Sequence, residues 1–91
     1  NELGCVFLEK VYENALAHEI GKIGLKVEQQ KPVKVFYDKI EVGSYETDLV
    51  VQDIVLVELK GVKNLDEAHK AQCLNYLKAT NLKICLLINF G

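Results

Sequence analysis

Apolar residues recur along the first quarter of the chain at Leu8, Val11, Tyr12, Ala15, Leu16, Ile20 and Ile23, a helical spacing that predicts a helix from about Leu3 to Lys22. Gly21 and Gly24 supply its stop. The pattern then changes to alternation. "LKVEQQKPVKVFY" predicts a strand, with Pro32 marking an edge position or a bulge, "DKI" a turn, and "KIEVGSYETDLVV" a second strand. Gln52 and Asp53 make a tight turn into a third strand, Ile54 to Lys60, closed by Gly61. Asn64 is placed as a helix N-cap with Glu67 reaching back to it, and "LDEAHKAQCLNYLKA" follows as a helix. "LKICLLINF" is a last buried strand.

The predicted order is therefore α-β-β-β-α-β. Hairpins come first, and a strand–helix–strand crossover of this length forms a right-handed parallel unit. The fold class is α/β in the sense of a mixed α+β sheet: four strands with two helices packed on them. Ninety-one residues, 49% of them hydrophobic, amount to one domain over residues 1–91 with one modest core. On the second helix, Ala71, Leu74 and Leu77 are expected to serve that core, beside a polar-aromatic stripe of His69, Gln72 and Tyr76.

The third strand carries the anomaly. In "IVLVELK" the alternation sets Ile54, Leu56, Glu58 and Lys60 on one face, with Glu58 and Lys60 about 6–7 Å apart. Charges in such a strand are costly unless paired or used. Asp48, on the preceding strand, is another acid among apolar residues. A hairpin centred on residue 53 sets it opposite Glu58, whereas a strict two-residue turn sets it opposite Val57, on the other face. Two carboxylates brought together repel or recruit a cation, and a hard divalent ion is the economical partner. Glu9 heads the apolar stripe of the first helix, within about 60° of Tyr12, Leu16, Ile20 and Ile23, so it too points toward the sheet. The bland alternatives are a surface ion pair at a strand end for Glu58 and Lys60, a fraying stripe edge for Glu9 and a solvated side chain for His69.

Composition narrows the function. The net charge is −2 and every one of the eleven basic residues is lysine, which speaks against gripping nucleic acid by charge alone but not against a site that recruits a metal. Cys5, Cys73 and Cys85 form no CxxC and are read as separate buried thiols of a reducing cytoplasm. No apolar stretch approaches a membrane span and no signal peptide is evident.

With "LEKVY", Asp48, "ELK" and "QCLNY" in view, the chain resembles the PD-(D/E)XK nuclease superfamily, and within it the GxxExxY family. The likeness extends through "YENAL", "GLKVEQQ", "VELKGV", "NYLKAT" and "LLINFG". It implies a restriction-endonuclease-like αβββαβ core and a Mg²⁺- or Mn²⁺-dependent nuclease, with Asp48, Glu58, Lys60, Gln72 and Tyr76 catalytic. The metal would be held by Glu9, Asp48, Glu58 and the Leu59 backbone carbonyl. Nucleic acid, DNA ahead of RNA, would be the partner in the cytoplasm, with dimerisation through exposed strand edges as an added expectation. Members of the family continue at both ends, so a truncated core is expected. Val6 stands where the GxxExxY glycine would fall, and Thr47 precedes Asp48 where the superfamily's name has proline. The alternative function is a catalytically weak or inactive nuclease-fold module that binds nucleic acid or a protein partner.

Overall fold

The computed structural model describes residues 2–91, with side chains from Phe7 onward; Val6, Gly4 and the Cys5 thiol fall outside the described side chains. Helix α1 (Glu2–Lys22) ends where Gly24, at φ 88°, turns its N–H back to the Gly21 carbonyl. The two long alternating segments each divide. The first gives β1 (Val27–Gln29) and β2 (Pro32–Tyr37), and the second gives β3 (Ile40–Glu46) and β4 (Leu49–Val51). β5 (Val55–Lys60), α2 (Glu67–Ala79) and β6 (Ile84–Asn89) follow.

The order in the main sheet is β1-β4-β5-β6, antiparallel except for the β5–β6 pair, and β2 and β3 form a separate two-stranded ribbon. The split is a bend in one hairpin. Val27↔Val51 and Gln29↔Leu49 keep the same register as Pro32↔Glu46 and Val33↔Tyr45. At the bend Gln30 donates to the Asp48 carbonyl and Thr47 to the Lys31 carbonyl, both at 3.0 Å. The expected turn at "DKI" is present, with Asp38 and Lys39 both at positive φ as a two-residue hairpin turn requires.

One face of the sheet is sealed by α1. Ala17 is buried with Leu49, Val51, Val57 and Leu59, and Leu16 and Ile20 pack against them. Leu49 and Leu56 are fully buried, each worth about 1.5–3 kcal/mol of transfer free energy. The remaining apolar positions of the α1 pattern, Leu8, Val11, Tyr12, Ala15 and Ile23, are exposed, though the Tyr12 ring stacks on Phe90.

Three expectations for the second half are corrected. The α2 N-cap is Asp66, not Asn64: its carboxylate accepts from the His69 N–H at 3.0 Å while His69 Nδ1 accepts from the Asp66 N–H at 3.1 Å. His69 thus replaces Glu67 in the capping box and is a structural residue. Leu74 and Ala71 are exposed, and Cys73 is the buried residue of α2. Cys73 also forms a disulfide with Cys85 on β6, with Cα atoms 6.1 Å apart. The crossover lays α2 against β6, so these two residues meet although twelve positions separate them. Cys73 and Cys85 are therefore not the separate thiols that the sequence suggested. No helix among the described residues is long and apolar enough to cross a membrane.

Candidate active site

Asp48 and Glu58 are brought together by the β4–β5 register. Leu49↔Val57, Val50↔Leu56 and Val51↔Val55 are partners, so the hairpin is centred on residue 53 and Asp48 faces Glu58. The connection is a three-residue loop, not two. Gln52 and Asp53 both take positive φ, and Ile54 donates to the Val51 carbonyl at 3.0 Å. Asp53 is pinned from outside by Lys26 at 2.8 Å and Lys31 at 3.3 Å, whose charges and hydrogen bonds hold its carboxyl below the usual range.

The two acids have different surroundings. Asp48 Oδ2 accepts the Leu59 N–H at 2.8 Å, which fixes the carboxylate across the strand end. Glu58 is 8% exposed, and its Oε1 has no hydrogen-bond partner among the described residues. Burial first, and the Asp48 charge second, push the Glu58 carboxyl up to about 8, against the opposing pull of Lys60. An orphaned acceptor at that depth marks a place where a proton or a cation belongs. Lys60 follows on the same face, at the end of β5.

α2 closes one side of the pair. Gln72 Nε2 donates to the Tyr76 hydroxyl at 2.6 Å, joining the two residues that the sequence placed at i, i+4. The Tyr76 ring stacks on Tyr45 from β3, centroids 3.8 Å apart and planes 16° from parallel. Burial, with Glu58 nearby, raises the Tyr76 phenol. Tyr45 is pushed up to about 12, by burial and then by Tyr76 and Glu58, and its buried hydroxyl also has no partner among the described residues. Sequence reasoning did not single out Tyr45.

α1 closes the other side. A cleft of about 250 Å³ is lined by Glu9, Lys10, Glu13, Gln30 and Asp48, so Glu9 does reach the neighbourhood of Asp48. Its Cγ lies 3.7 Å from where a Cβ on Gly61 would sit, just past the end of β5. The buried acid of this helix is Glu13, 3% exposed, which sequence reasoning passed over. The signal was available: Glu13 follows Glu9 by four residues, on the same helical face. Among the described residues no three carboxylate, imidazole or thiol side chains converge closely enough to enclose a cation.

The family model of the PD-(D/E)XK nuclease superfamily matches residues 1–91. The chain belongs to this superfamily. Two helices on a four-stranded mixed sheet agree with its restriction-endonuclease-like core. No curated protein and no solved structure matches the chain. Membership in a nuclease superfamily makes nuclease-type chemistry on nucleic acid the frame for the site, and divalent metals are its general cofactors.

Proposed function

We propose that this member hydrolyses phosphodiester bonds in nucleic acid, DNA first, with Mg²⁺ or Mn²⁺ held by Asp48, Glu58 and the Leu59 carbonyl. The observation that carries the reading is the orphaned, buried Glu58 oxygen directly across the sheet from Asp48. Two carboxylates suit an ion that keeps much of its water, so a cage of three acidic side chains is not required. An ion held there would lower the pKa of a bound water and offset charge developing on the phosphate.

The chain's own residues do the rest. Asp48, clamped by the Leu59 N–H, presents a fixed oxygen, and Glu58 provides the second once its proton is displaced. Glu9 approaches from α1 and would ligate the ion directly or through water. Lys60 orients the attacking water or the phosphate, and the Gln72–Tyr76 pair, braced by Tyr45, positions the scissile strand. Residues 1–91 act as one nuclease unit in this reading.

Incubation of the purified protein with Mn²⁺ and single- and double-stranded DNA and RNA tests the proposal. Cleavage is expected, and its loss in Asp48→Asn. No cleavage of any of the four, together with no calorimetric Mn²⁺ binding, would overturn it. The small size and Val6 in place of the motif glycine favour a second reading, a nuclease-fold module that binds a protein partner or nucleic acid without cutting. Mn²⁺ binding abolished by Asp48→Ala discriminates against that module.

A further inference from the structure

We infer that Glu13 is a positioning residue for Asp48, acting through the backbone of Gln30. The inference rests on the metal-dependent reading above only in taking Asp48 as a ligand.

Glu13 is a buried carboxylate, which is costly unless its oxygens are satisfied. Three donors meet it. Gln30 Nε2 reaches Oε1 at 2.6 Å, Gln29 Nε2 reaches Oε2 at 2.8 Å, and Lys10 Nζ reaches Oε2 at 3.1 Å. With its oxygens so engaged, and an ammonium beside it, Glu13 is a poor cation ligand. It is well placed to hold something else.

What it holds is Gln30. That residue sits at φ 53°, a left-handed conformation that side chains other than glycine seldom adopt. In this conformation its N–H donates to the Asp48 carbonyl at 3.0 Å, at the point where the hairpin bends out of the main sheet. The opposite bond of the bend, Thr47 to the Lys31 carbonyl, is backed by the Thr47 hydroxyl donating to the same carbonyl at 3.0 Å, and Thr47 is fully buried. Asp48 is thus fixed twice. Its main chain is held by Gln30 and its carboxylate by the Leu59 N–H. Glu13 is itself rigid, one turn before Ala17 in the sealed core. The path from the helix to the acid runs Glu13 carboxylate, Gln30 side chain, Gln30 N–H, Asp48 main chain.

A rescue experiment tests this path. Glu13→Ala is expected to weaken Mn²⁺ binding about 10-fold by calorimetry, the lower end for a residue supporting a metal ligand, and to accelerate amide exchange at Gln30. Glycine takes left-handed φ without a clamp. The double variant Glu13→Ala/Gln30→Gly should therefore recover affinity to within about threefold of wild type, while its thermal stability stays low because the buried bonds are still missing. A merely structural Glu13 would not show affinity and stability separating. Affinity unchanged in Glu13→Ala, or lost equally in the double variant, overturns the inference. If Glu13→Ala does not fold, Glu13→Gln, which keeps the volume but loses the charge, serves with the same expected sign. If wild type binds no Mn²⁺, the metal-dependent reading fails on its own, and Gln30 exchange decides: acceleration in the Glu13 variant supports the path, and an unchanged rate overturns it.

Discussion

The two helices meet the same strand end with opposite chemistry. From α1 come acids, Glu9 and Glu13, in a cleft where the buried Glu13 carboxylate is met by three donors. From α2 comes a neutral wall, Tyr76 held by Gln72 and stacked on Tyr45, beside which two buried polar atoms, Glu58 Oε1 and the Tyr45 hydroxyl, have no partner among the described residues. Satisfied groups build a scaffold and unsatisfied ones wait for a ligand. The contrast separates the side that holds the site from the side that uses it.

The largest effect should come from Asp48, which lies between the two. Asp48→Asn keeps an acceptor for the Leu59 N–H but loses the charge, so Mn²⁺ affinity should fall by about 100-fold or more and cleavage with it, read by calorimetry and a nuclease assay. Circular dichroism should show the fold retained.

Glu58 tests the unsatisfied side through pH. Its carboxyl lies at about 8 in the folded protein against an ordinary 4.5. Between those values the native state keeps a proton that the unfolded chain has released, so metal-free stability should fall as pH rises through that window and level off above it. Thermal melts of the metal-free protein from pH 4 to 9, with Glu58→Gln as reference, check this; the variant should lose that decline. Saturating Mn²⁺ should flatten the wild-type curve, because bound metal displaces the same proton.

Tyr45→Phe is the smallest and sharpest change. It preserves the stack on Tyr76 and deletes only a buried, partnerless hydroxyl. Stability should hold or rise by about 1 kcal/mol. If the hydroxyl serves the substrate, turnover should drop by about 10-fold, less than the ~10²-fold of a group that itself transfers a proton. A variant that is no more stable and equally active would remove Tyr45 from the site.

How much of this was legible in the sequence follows from how local each cause is. The face shared by Glu58 and Lys60 follows from period 2 within six residues, and the Gln72–Tyr76 pair follows from helical spacing. The register of Asp48 is not local. It is set by the length of the loop between Val51 and Val55, which Lys26 and Lys31 contact from more than twenty positions before Asp53, so alternation alone left two pairings open. Tyr45 was hidden for a related reason. Strict alternation puts it on the opposite face from Asp48, and the bend at Thr47 undoes that parity by turning the ribbon toward α2. The Cys73–Cys85 bond was hidden by the crossover, which no spacing rule for clustered cysteines registers.

The ribbon has one more property, which concerns how such a chain can change over generations. Its register slips once, between Val35↔Gly43 and Phe36↔Glu41, before closing at the exposed Tyr37–Ile40 tip. In a regular hairpin, a residue gained on one arm would turn over every side chain behind it. A bulge absorbs an odd residue, and this one lies between the tip and both Tyr45 and Asp48. Insertions and deletions at the tip can therefore accumulate without disturbing the chemistry at the base, leaving the outermost part of the hairpin as the place where descendants of one ancestor can diverge in what they touch.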